Sequence, residues 1–121
     1  MIKLVFCLRR LPHLTREEFQ DYWLNRHAPL AKSFQHLVGN TRYVQMHTVS
    51  SVYDEALRAE RGAPEPYDGI TESWWESWEA LQKALSNPDA QKAFATLLED
   101  EKKFIDLKNS PVMFGVEREI T

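Results

Sequence analysis

Ile2-Lys3-Leu4-Val5-Phe6-Cys7-Leu8-Arg9 is rich in Val, Ile and Phe and alternates in side-chain character, which is the two-residue period of a strand. After the Leu11-Pro12-His13 turn the period changes. Thr15 and Glu18 have the Thr-x-x-Glu spacing of a capping box, in which the hydroxyl accepts from the N3 amide and the glutamate reaches back to the cap amide. From that start Phe19, Trp23, His27, Leu30 and Phe34 recur at three- and four-residue steps and share one helix face, with Tyr22 and Leu37 at its margins. That apolar face has to pack on a sheet. Pro29 has no N–H for the carbonyl of Asn25 and its ring crowds the turn, so a distortion is expected just after His27.

Working outward, Thr41 to Val49 reads as a second strand, with Tyr43, Gln45 and His47 on one face and Val44 and Met46 on the other. Residues 50–66 contain Pro64, Pro66 and a polar run without sustained periodicity, and read as a long loop with room for a helical turn, either a lid or disordered. Tyr67 to Trp75 reads as a third strand and Glu76 to Leu85 as a short helix burying Trp78, Leu81 and Leu85. Asn87-Pro88 opens a last helix with Phe94, Leu97, Leu98, Glu101 and Phe104 or Ile105 inward. Val112, Phe114 and Val116 then alternate as a final strand. The order is the ferredoxin-like split β-α-β-β-α-β, an α+β fold with a four-stranded antiparallel sheet and helices on one face. The opposite sheet face also carries large apolar residues, so two copies are expected to pair through their sheets as a homodimeric α/β barrel.

At 121 residues the chain has room for one core, and residues 1–121 are expected to form a single domain. No apolar run reaches the roughly 18 residues of a membrane span, and Ile2 to Phe6 has no resemblance to a secretory signal, so a soluble, cytoplasmic protein is expected. The lone Cys7 fits a reducing compartment and core filling. A net charge of −3 with interspersed signs gives no field for a phosphate backbone, which argues against nucleic acid.

Several segments together resemble the EthD family of dimeric α/β-barrel proteins. They are Ile2 to Arg10, Leu14-Thr15-Arg16-Glu17-Glu18-Phe19, Tyr22-Trp23 with His27-Ala28-Pro29-Leu30, Arg42-Tyr43-Val44-Gln45-Met46-His47, Tyr67 to Trp74, and Asp100-Glu101-x-x-Phe104-Ile105-Asp106. Met46 departs from the Asn expected in many relatives. The resemblance implies a small-molecule pocket rather than one reaction. The family is named for a component of ether degradation and leans towards oxidoreductases. Similar folds include methylmuconolactone isomerases and enzymes that cyclise, dehydrate or decarboxylate aromatic polyketides with acid–base residues and no cofactor.

His27 is the first candidate catalytic residue, because imidazole is easily poised as an acid or base near neutral pH and sits here on an apolar helix face. The competing reading is a buried histidine donating to a carbonyl loosened by Pro29. His47 and Tyr43 share a strand face with Gln45, and three polar-tipped side chains suit a wet pocket, or else solvent or a partner. If that face meets the helix, His27 and His47 share a cavity, one removing a proton while the other, or Tyr43, donates to an oxyanion. Trp23, Gln45, Glu72, Trp74 and Glu101 are expected to bind substrate. A carboxylate interrupting an apolar surface can have a raised pKa, and indoles can stack on an aromatic ligand, although salt-bridged glutamates and core tryptophans are commoner.

No ligand spacing such as His-x-x-x-His points to a metal, and no Gly-x-Gly-x-x-Gly, P-loop or Gly-x-Ser-x-Gly points to a nucleotide cofactor or a serine nucleophile. The expectation is a cofactor-independent proton-transfer enzyme, an isomerase, dehydratase or decarboxylase acting on a lactone-like or phenolic metabolite. The alternatives are a cofactor-free oxidoreductase or monooxygenase, and a non-catalytic ligand-binding or accessory protein of an ether or aromatic degradation pathway.

Overall fold

The computed structural model describes residues 1–121. Its elements run β1 (Ile2–Leu8), α1 (Arg16–Tyr22), a π-helical turn (Trp23–His27), α2 (Ala28–Ser33), α3 (Gln35–Val38), β2 (Arg42–His47), α4 (Val52–Arg61), β3 (Gly69–Trp75), α5 (Trp78–Leu85), α6 (Pro88–Glu101) and β4 (Val112–Gly115). The sheet order is β2-β3-β1-β4 with every pair antiparallel. This is the expected split β-α-β-β-α-β arrangement, with α4 inserted between β2 and β3. No helix is long and apolar enough to cross a membrane.

The Thr15–Glu18 capping box forms with both of its hydrogen bonds and starts α1. The distortion caused by Pro29 lies in the turn before it rather than after His27. Because residue 29 cannot donate, the helix widens, and the Ala28 N–H reaches back five residues to the Trp23 carbonyl. Within residues 50–66, where a loop with at most a helical turn is expected, Val52–Arg61 form the three-turn helix α4 and residues 63–66 remain a loop. Ser51 and Asp54 make its capping box and Gly62, at φ +60°, ends it in the left-handed conformation. Val52, Tyr53, Ala56 and Leu57 share one face of it, yet all of its side chains are partly or fully exposed. Trp78 and Leu85 are also corrected: both are exposed, at 55% and 49%, while Leu81 and Ala84 of α5 turn inward.

Two apolar clusters hold the helices to the sheet, at opposite ends of β1. Leu8 belongs to one, with Phe19, Trp23, Phe104 and Ile105, and Ile2 to the other, with Val38, Trp75 and Leu81. Phe19, Trp23, Phe104 and Leu8 are fully enclosed, and burying each such side chain contributes about 2–3 kcal/mol. The strand register puts Tyr43, Gln45 and His47 on the helix-covered face beside Ser73, Thr71 and Gly69. Lys3, Val5, Cys7, Val44, Met46, Ile70, Glu72, Trp74 and Met113 alternate onto the face that no helix covers.

Gly69 is where β3 passes under the Trp23 indole. A Cβ there would collide with Cζ3 and lie 2.7 Å from Cη2 of that enclosed ring. Gly69→Ala is therefore expected to cost about 1–3 kcal/mol, read as a lower urea midpoint at unchanged slope. An unchanged midpoint would show that Trp23 moves aside freely.

Candidate functional site

Between the two clusters, where Leu4 and Phe6 are only partly buried, the sheet and helices form a cavity of about 770 Å³ that is partly open to solvent. That is a volume suited to a small organic ligand. Most of the wall is apolar, including Leu4, Phe6, Trp23, Trp75, Phe94 and Leu97. Among the residues that face the cavity, His27, Tyr43, Glu101 and Lys32 carry ionisable groups, and Thr71, Ser73 and Ser110 carry hydroxyls.

His27 is the last residue of the π-helical turn and is 6% exposed. Its Nδ1 lies 2.8 Å from Oδ2 of Asp100 on α6. Oδ1 of the same carboxylate accepts from the Tyr22 hydroxyl at 2.6 Å and lies 3.6 Å from the Lys103 ammonium. Burial works against ionisation of Asp100, but the hydrogen bonds from Tyr22 and His27 outweigh it and hold the carboxyl below its usual range. An ionised carboxylate can only accept, so the proton between them resides on Nδ1. Burial pulls the His27 pKa down against the opposing pull of Asp100, which favours neutral imidazole at pH 7. Nε2 is left as a lone pair with no protein partner, on a ring that lines the cavity. Burial, then the hydrogen bond to Asp100, pushes Tyr22 up to about 12, so it stays a donor.

Glu101 follows Asp100 but faces the cavity. Burial first, and then the Asp100 charge, push it up to about 7, so near neutrality it can hold or release a proton. Tyr43 rises from β2, and burial raises its pKa, keeping it protonated. No three or more His, Cys, Asp or Glu side chains converge to hold a metal.

The structure does not bring all the expected site residues together. The β2 face of Tyr43, Gln45 and His47 does meet the helices, yet His47 stacks on the Trp23 indole at 4.5 Å and does not line the cavity. The pairing of His27 with His47 across one cavity is therefore corrected, because Trp23 fills the space that the second imidazole would need. Gln45 touches the wall residues Tyr43 and Trp23 without lining the cavity itself. Glu72 and Trp74 lie on the uncovered side of the sheet. Glu72 pairs with Lys3 at 3.1 Å, and Trp74 donates to Glu117 between Lys3 and Arg42, each 4.8 Å from its ring. Sequence reasoning reaches Asp100 only through the Asp100-Glu101 segment of the family resemblance, although it follows Ala90 and Ala93 on the buried side of α6. An acid in such a stripe is the available signal.

The EthD domain model matches residues 11–108. The chain belongs to the EthD family. No curated protein matches its sequence significantly. Among solved structures, an EthD family protein from Bacillus halodurans superposes with a TM-score of 0.63 at 22% identity, covering 98% of this chain and 99% of that one. A dimeric protein of ferredoxin-like fold from Bacteroides fragilis gives 0.61 at 6% identity, covering 94% and 93%. SnoaB, a cofactor-independent oxygenase from Streptomyces nogalater, gives 0.56 at 16% identity, covering 98% and 94%. At these identities the likeness establishes the α+β, ferredoxin-like fold of this EthD protein and leaves its chemistry to the site.

Proposed function

We propose that this EthD protein is a cofactor-independent enzyme that moves protons on a lactone-like or phenolic metabolite, as an isomerase, dehydratase or decarboxylase. The observation that carries the reading is the bare Nε2 of His27, fixed by ionised Asp100 at the wall of an apolar cavity. Nε2 takes a proton from a carbon next to a carbonyl, or from a ring hydroxyl. Tyr43 donates to the oxygen where negative charge gathers, and neutral Glu101 returns a proton elsewhere on the ring. Trp23 forms an aromatic part of the wall. The test is incubation of candidate lactones and phenols with the protein in heavy water containing a chelator. Deuterium should enter the carbon acid. Binding without exchange or turnover would make the protein an accessory or ligand-binding component instead.

A cofactor-free oxygenase is the second reading, and the description of SnoaB on the same fold favours it. The same base would generate an electron-rich phenolate able to react with oxygen, so an oxygen electrode separates the two.

We also propose that the protein works as a homodimer joined through the uncovered sheet face. Val5, Cys7, Val44, Met46, Ile70 and Met113 form an apolar band there that no helix covers, and such bands mark interfaces. Light scattering should give twice the 14.2 kDa chain mass, and a monomer at micromolar concentration would overturn this assembly.

A further inference from the structure

We propose that Gln45 and His47 are positioning residues that aim the Tyr43 hydroxyl proton into the cavity, making an oxyanion-binding site whose direction is set by the π-helical turn. The proposal rests on the acid–base reading above and adds to it what two polar residues outside the cavity do.

The Trp23 carbonyl belongs to the widened turn and can only accept. Gln45 Nε2 lies 3.0 Å from it, so the amide nitrogen, not the oxygen, must face the turn. Gln45 Oε1 is thereby directed at His47, 2.8 Å from Nε2 of that ring. An amide oxygen accepts, so His47 carries its proton on Nε2. The second hydrogen of the Gln45 amide points at the Tyr43 oxygen, 3.0 Å away. Tyr43 therefore accepts from Gln45, and the Trp23 indole and Thr71 hydroxyl also lie beside its oxygen as donors, which leaves its own proton to the cavity. Tyr43 lines the cavity, so that proton is available to a ligand oxygen. Stacking on Trp23 holds the His47 ring in plane for its contact with Gln45. One amide thus fastens both the backbone that carries His27 and the hydroxyl that would oppose it.

The experiment compares nitrophenol with nitroanisole, which has no ionisable oxygen, by titration against wild type, Tyr43→Phe and Gln45→Glu. A carboxylate at position 45 cannot donate, so Tyr43 turns its proton towards residue 45 and away from the ligand. Gln45→Glu should weaken nitrophenolate binding about tenfold, as Tyr43→Phe does, with nitroanisole binding unchanged. Nitrogen NMR should find the His47 proton on Nε2, and the new carboxylate should raise the His47 pKa. Nitrophenolate binding that survives Gln45→Glu, equal loss of both ligands, or a proton on Nδ1 of His47 would overturn the proposal. None of these readouts needs turnover, so the positioning role can fail while the enzyme reading stands, and the reverse.

Discussion

Asp100→Asn is expected to lower turnover by about 10²-fold or more without unfolding the protein, because it sets the wrong proton on His27. Lys103 and the Tyr22 hydroxyl attract an oxygen at the Oδ1 position, so the new amide should place its nitrogen towards His27. An NH₂ group there donates to Nδ1 and moves the imidazole proton to Nε2, where the cavity needs a lone pair. The base is then lost while ring and cavity remain. His27→Gln should be as damaging, and the double variant little worse, since the two act as one unit. Nitrogen NMR of His27 tests the tautomer before any substrate is known. A proton still on Nδ1 in Asp100→Asn, or turnover within a few-fold of wild type, would remove the dyad from the mechanism.

Glu101→Gln should make the protein more stable in alkaline solution and leave it unchanged in acid. An unfolded glutamate titrates near its reference value of 4.5 and folded Glu101 at about 7. Between those values the folded chain keeps a proton that the unfolded chain has released, so wild-type stability falls as pH rises and levels off above about 7. At 1.36 kcal/mol per unit, the gap of about 2.5 units limits the effect to about 3 kcal/mol. His27 and His47, whose pKa values are lowered by burial, shift stability in the opposite direction near neutrality. They are present in both proteins and cancel in the comparison. Urea unfolding of both proteins from about pH 4 to about pH 8 would decide it, and a difference that stays flat with pH would place Glu101 in water.

Where local rules and burial agree, the sequence foretold the fold. Thr15 and Glu18 mark a helix start in any context, and Phe19, Trp23 and His27 must share a face once that helix exists. The same rules hold at Ser51, Asp54 and Gly62, and Val52, Tyr53, Ala56 and Leu57 share one face there, but Pro64, Pro66 and the polar run beside them mask the helix. The site was half visible for a related reason. His27 and Glu101 stand out as polar residues in apolar stripes, and strand alternation puts Tyr43 on one face with Gln45 and His47. Strand alternation also separates Glu72 and Trp74 from that face, but which side the helices cover depends on contacts distant in sequence. Asp100 can be read as an acid on the inward side of α6, but its partner is 73 positions away and only the fold brings it against the widened turn.

The placement of the two apolar clusters has a further consequence. Each is small, and the space between them, where a compact domain of this length would keep its best-packed side chains, is hollow. A guest of the right shape would join two half-cores into one, so occupancy and foldedness are a single equilibrium viewed from two sides. Any molecule that prefers the folded chain stabilises it by mass action, by about 2.7 kcal/mol at a hundredfold excess over its dissociation constant. Heat resistance thus becomes a detector of the natural ligand that requires no knowledge of the reaction, and an ordinary metabolite collection can be screened with it.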